Sequence, residues 1–232
     1  MADVEALDPI AAAAQETAHR HRLAGLLPHP AALKLWSSLP QVRAWLDRAR
    51  AAASEAGPQG SSAAEWLLDN DYHVQRAVLQ IRQDLPPNFY RKLPGISGEI
   101  MHGQPRMHDI AHALLRATRL QVTFSSAVQF LQAYQETMPL SIAEVWAFPT
   151  MLRLACLELL ISGFSALFPE VEAPPTTPIA PLDTSETERV ARGIANLAII
   201  SGIQWKDVFD QTSQVEAILR RDPAGIYAKM DF

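Results

Sequence analysis

The 232-residue chain contains one cysteine, Cys156. A single thiol excludes an internal disulfide and a cysteine-based zinc site. It lies in the apolar run RLACLELL, where a buried, inert thiol is expected rather than a nucleophile. No glycine-rich phosphate loop is present, and no serine sits in a nucleophile elbow. No segment alternates apolar and polar residues over a strand's length, which excludes an extended sheet. The net charge of −5 lacks the clustered lysine and arginine of a nucleic-acid surface. The short basic runs His19-Arg20-His21-Arg22 and Arg220-Arg221 fall at expected helix ends, where cations suit the dipole. The start, MADVEALDP, is acidic where a secretory signal needs positive charge, so the cytoplasm is the expected compartment. Internal repeats are absent.

What is present is helical. Hydrophobic residues make up 48% of the chain, enough for a real core. Helix-start signals recur. Asp8-Pro9 places a cap before a proline at the first helical position. Capping-box spacing occurs at Ser62/Glu65, Ser141/Glu144, Ser185/Glu188 and Ser213/Glu216, with a glutamine form at Ser126/Gln129. Leu140 and Val145 occupy the staple positions around Ser141. The pattern predicts helices over Asp8–Leu23, Pro30–Ser37, Pro40–Ala56, Ser62–Asp84, Pro105–Gln121, Ser126–Met138, Ser141–Phe168, Ser185–Ser201 and Trp205–Arg221. The fold class is therefore all-α, a multi-helix bundle.

The run Val145–Phe168 has the length of a membrane span, but Arg153 and Glu158 interrupt it, so a central core helix is expected and no transmembrane segment. Glu158, Ser162 and Ser165 form its narrow polar stripe, and Pro149 is expected to kink it. AGPQGSS (56–62) reads as a flexible joint. Five prolines between Pro169 and Pro181 mark an extended linker. The expected organisation is N-terminal helices over 1–61, a bundle core over 62–168, a proline-rich linker over 169–184 and a C-terminal helical segment over 185–232.

Two constellations could carry chemistry. Glu65, Asp69 and His73 recur every four residues on one helix face. Beside them Leu67, Val74, Val78, Ile81 and Leu85, widened by Leu68, Tyr72 and Leu79, make the expected core face. Asp69 has ordinary surface partners in His73 and Arg76. His108 and His112 are also four apart, and His108-Asp109 is the pairing used by helical metal-dependent phosphohydrolases. Such an enzyme needs further ligands, for which His73, His102, Asp183 and Asp207 are the available residues. Each row supplies two or three ligands with no converging partner, so no metal is expected at Glu65, Asp69, His73, His108 or His112. No catalytic residue and no cofactor are expected. Trp36, Trp45, Trp66, Trp146 and Trp205 are expected as core anchors. PPNFYRKLP (86–94) is expected to connect helices.

Three stretches resemble a known family: AEWLLDNDYHVQRAVLQIRQDLPPNFYRKLP (64–94), FLQAYQETMPLSIAEVWAFPTMLRLACLELL (130–160) and WKDVFDQTSQVEAILRRDPAGIYAKMDF (205–232). They are similar, in order, to the N-terminal cytoplasmic region of cyclic β-1,2-glucan synthases, large bacterial inner-membrane glycosyltransferases. That family usually carries an aromatic residue at the position of His108. The resemblance implies an accessory or scaffold region, with the remainder of the synthase as its partner. It further implies that glucose is polymerised from UDP-glucose by domains outside this sequence, on the cytoplasmic side of the inner membrane. The family continues beyond AKMDF, so the chain is expected to be a fragment or a natural short form. The competing expectations are a His-Asp metal-dependent phosphohydrolase and a free-standing helical interaction module.

Overall fold

A computed structural model describes residues 8–56, 62–98, 102–177 and 183–213. Its centre is α8, Ile142–Leu167, buried along nearly its whole length. The helix passes the length and apolarity test for a membrane span, yet 78% of its most apolar window is covered by protein. It is the all-round apolar helix expected of a bundle centre. Around it stand α1 (Pro9–Ala24), α3 (Leu39–Ala56), α4 (Ser62–Asp84), α6 (Arg106–Ala117), α7 (Phe124–Thr137), α9 (Glu186–Gly202) and α10 (Trp205–Thr212). Two single-turn helices, α2 (Lys34–Ser37) and α5 (Pro87–Tyr90), sit in connections. The all-α class expected from the sequence holds.

Caps fix several of the starts. The Asp8 side chain accepts from the Ile10 amide, ahead of Pro9. Ser141 and Glu144 form a complete capping box, and Leu140 and Val145 are both buried beside it. Ser185 accepts from the Glu188 amide. The start of α7 differs from expectation: Thr123 is the cap and Ser126 its reciprocal partner, so the helix begins at Phe124. The box at Ser213/Glu216 and the extension of the last helix to Arg221 lie outside the described residues, as does the residue preceding Ser62.

The predicted helix Pro30–Ser37 is reduced to its last turn. Tertiary bonds take the backbone groups it needs. The Leu33 amide donates to the Tyr90 hydroxyl at 3.0 Å, and that hydroxyl donates to Ala31 O at 2.6 Å. The Ala31 amide donates to Gly103 O at 2.5 Å. Beside this segment Leu26–Leu27 (β1) pairs antiparallel with Gly95–Ile96 (β2), a contact too short for any periodicity to announce.

α9 follows the proline-rich stretch and shares the core with α8 and α4. Val190, Ile194, Leu197 and Ile200 are buried. Two glycines permit the approach. A Cβ on Gly163 of α8 would stand 2.8 Å from Glu186 O, and one on Gly193 of α9 would stand 3.1 Å from Cys156 O. Part of the proline-rich stretch also lies on the body. Arg48 donates to Glu172 O at 3.0 Å, and the Thr177 amide donates to Glu158 at 3.3 Å.

Asn196 of α9 braces the turn after α6. Arg119 and Leu120 there have φ of 50° and 61°, a left-handed conformation that suits neither side chain. The buried Asn196 amide donates to Leu120 O at 3.0 Å and accepts from the Val122 amide at 3.1 Å. Asn196→Leu strands both backbone groups in the core, at about 1–3 kcal/mol for each buried group left unpaired. Urea unfolding of this variant followed by circular dichroism checks that loss, and an unchanged midpoint contradicts the bracing role.

Candidate functional site

The Glu65–Asp69–His73 row stays apart. Glu65 and Asp69 are exposed, and His73 is half-buried against Tyr72. Burial and the Arg76 charge lower the His73 pKa. The carboxylate that finds a cation on this helix is Asp71, at 3.0 Å from Arg50 of α3. The expected Asp69 pairs are therefore replaced by a tertiary one. Leu67, Val74, Ile81 and Leu85 are buried as expected, but Tyr72 and Leu79 are 55% and 57% exposed and belong to the outer face.

The second pair does converge. His108 and His112 project from one face of α6 toward α8 and meet Glu158. Both Nε2 atoms lie 2.8 Å from the same oxygen, Oε2 of Glu158. The other carboxylate oxygen accepts from the Thr177 amide at 3.3 Å. Glu158 is fully buried and His108 nearly so, while His112 keeps an edge at the surface. The polar stripe of α8 is thus buried at Glu158, against α6 and the Thr177 segment. This also removes the ground on which a metal was not expected at His108 and His112, namely the lack of a converging partner. The three ligand atoms lie within 4.8 Å of one another. Sequence reasoning missed Glu158 because it drew the further ligands from His73, His102, Asp183 and Asp207 and assigned Glu158 to the polar stripe of α8. The signal available was a lone carboxylate in a helix otherwise apolar all round, since such a charge needs a buried partner.

Burial pushes the Glu158 carboxyl up, but attraction to the His108 ring and hydrogen bonds from both imidazoles outweigh it. The result lies well below the usual carboxylate range. Burial lowers the His112 pKa. His108 Nδ1 is buried without a partner. It is least costly there as a bare lone pair, with Nε2–H donating to Glu158. A proton on Nδ1 would be an unpaired buried donor, at about 1–3 kcal/mol.

Asp109 faces the other way. Its Oδ2 accepts from Arg20 at 2.6 Å and lies 3.0 Å from His21 Nε2, both on α1. His21 Nδ1 in turn meets the Tyr134 hydroxyl of α7 at 2.8 Å. Burial raises the Asp109 pKa, but the His21 hydrogen bond and the Arg20 charge bring it below the usual range. Burial likewise pushes the Tyr134 hydroxyl up to about 12. His108 and Asp109 thus serve separate buried networks rather than one site. His102, Asp183 and Asp207, the residues a phosphohydrolase would draw on, are exposed. A third network joins Arg106 at the start of α6 to Glu144 at the start of α8, with contacts of 2.5 and 2.6 Å.

Two surface grooves are lined by other residues, though Arg116 in the second stands 4.0 Å from Asp109. One is lined by Gln41, Ala44, Arg48, Glu172, Ala173 and Pro174. Another is lined in part by Arg116, Arg119, Asp183 and Glu188. Of the five tryptophans, Trp45 is a buried anchor. Trp66 and Trp146 are 43% and 52% exposed, contrary to expectation.

Fold and site together define an all-α helical bundle whose polar groups are sequestered in buried ion-pair networks. No family model matches the chain. Over 113 residues, 48% of its length, it is 40% identical to the cyclic beta-(1,2)-glucan synthase NdvB of Rhizobium meliloti (strain 1021). The matched residues are 4% of that protein, so the similarity relates the chain to a small part of a much longer synthase.

Proposed function

We propose that the chain is a non-catalytic accessory region of a cyclic β-1,2-glucan synthase, working as a scaffold for the domains that polymerise glucose. The observation that carries this reading is the 40% identity over 113 residues to a synthase of that activity. The geometry supports the non-catalytic half. Transfer from a sugar nucleotide needs carboxylates that hold a divalent ion at an open site, with a base beside the acceptor hydroxyl. Here Asp109, Glu144 and Glu158 are all buried and engaged by cations or imidazoles. Partners in this reading are the membrane and transferase portions of the synthase, and the location is the cytoplasmic face of the bacterial inner membrane. The domain organisation proposed is the 62–168 core joined to the flanking segments 1–61 and 185–232, with 169–184 between.

The test is direct. Purified chain incubated with radiolabelled UDP-glucose and divalent ion is expected to release no glucan and no free glucose. Label appearing in either product, and lost in a Glu158→Gln variant, would overturn the non-catalytic reading.

A further inference from the structure

We propose that His108, His112 and Glu158 form a site for one divalent transition-metal ion of the zinc type, held between α6 and α8. The donor chemistry fits. Two imidazole nitrogens and one carboxylate oxygen are a set that zinc takes at about 2.0–2.2 Å. Ligands bound at those lengths in a tetrahedron stand about 3.4 Å apart, so the hydrogen-bonded contacts must open by roughly 0.6 Å when the ion enters. The two Nε2–Oε2 separations are each 2.8 Å.

The placement is rigid. His108 and His112 are one turn apart on α6, and Glu158 comes from the central helix facing them. No loop has to close to assemble the set. The Thr177 amide bonds the second carboxylate oxygen, so Glu158 presents the single atom Oε2 to both rings. Ligating carboxylates are typically oriented by such an outer hydrogen bond.

Charge points the same way. Among the described residues no lysine or arginine pairs with Glu158; imidazoles and one backbone amide are its partners. A divalent ion would set a permanent charge beside the carboxylate. Binding uses the Nε2 lone pairs, so each ring must carry its remaining proton on Nδ1 and any second proton leaves to solvent. His112 has a solvent-facing edge for that exchange. His108 must hold its Nδ1 proton without a protein acceptor. This single unmet donor is set against three ligand bonds. Three protein ligands leave a tetrahedral ion one position for water. The ion would tie α6, α8 and the segment at Thr177 together, and its binding is tested apart from the synthase reading.

The test uses the full chain purified without a metal-binding tag. Chelator-stripped protein is expected to take up one cobalt(II) with the visible bands of a tetrahedral site, and zinc should displace it. X-ray absorption of the zinc-loaded wild type should show imidazole ligands. A His112→Gln variant, changed at the ring nearest the surface and confirmed folded by circular dichroism, should lose affinity by more than the roughly 10–100-fold that removing an outer partner costs. A His73→Ala variant should bind normally. Folded, stripped protein that takes up neither ion at micromolar concentration overturns the proposal. So does a first shell of water oxygens alone, or uptake undiminished in a His108→Gln/His112→Gln variant.

Discussion

Arg106→Ala is expected to destabilise the fold by about 3–5 kcal/mol, because it leaves a carboxylate buried without its cation. Arg106 is the first residue of α6 and Glu144 the third of α8, so the pair joins two helix starts. Its contacts are bidentate, Nε to Oε1 at 2.5 Å and an Nη to Oε2 at 2.6 Å, with a further bond to Pro139 O at 3.0 Å. Arg106 and Glu144 are 4% and 1% exposed, so water cannot replace either partner. Burial disfavours the guanidinium charge, but the Glu144 hydrogen bonds and charge outweigh it and raise the pKa. At this chain length the loss lowers Tm by on the order of 10 °C. The double variant Arg106→Met/Glu144→Gln tests the cause. Glutamine keeps the capping box with Ser141, while methionine fills the space and removes the unpaired Nη1. Recovery of most of the stability shows that the single variant is penalised by the stranded charge. A double variant as unstable as Arg106→Ala contradicts this.

Trp45→Ala is expected to cost a similar amount, about 3–5 kcal/mol, for a different reason. The indole is fully buried and meets the Phe164 ring edge-on, with centroids 5.9 Å apart. Truncation opens a cavity between α3 and α8 that rigid helices cannot close. Trp45→Phe separates packing from polarity. Indole Nε1–H is buried without an acceptor. Phenylalanine gives up some volume but removes that donor, whose burial costs about 1–3 kcal/mol. The expected net change is small, under about 1.5 kcal/mol. Urea unfolding by circular dichroism measures both variants. A Phe variant as damaging as Ala would mean that Nε1 has a partner, such as a buried water.

The elements most legible in the sequence are those whose signals are local. The span of α4, Ser62 to Asp84, and the capping box at Ser141 need only neighbouring residues, and both stand where the pattern puts them. What was not legible depends on contacts made across the chain. Tyr90 takes the backbone of Ala31 and Leu33 and shortens a predicted helix. Thr123 outcompetes Ser126 as a cap because an extended backbone at 123 lets both side chains bond reciprocally. The candidate site shows the same division. The i, i+4 histidines were visible, but Glu158 lies 46 residues beyond His112, and nothing local says that the polar stripe of α8 faces them. Trp66 and Trp146 failed as anchors because apolar spacing does not say which ring edge the neighbouring helices leave uncovered.

In the function proposed, this bundle supports a glucan synthase without performing its chemistry. The most direct measurement is cyclic glucan output from the Rhizobium meliloti synthase after deletion of the 113-residue stretch that matches this chain, with the deleted enzyme confirmed in the membrane by immunoblot. The account predicts a large loss of glucan, restored when this chain is grafted in place of the deleted stretch. Normal glucan output from the deleted synthase at normal membrane levels would contradict it.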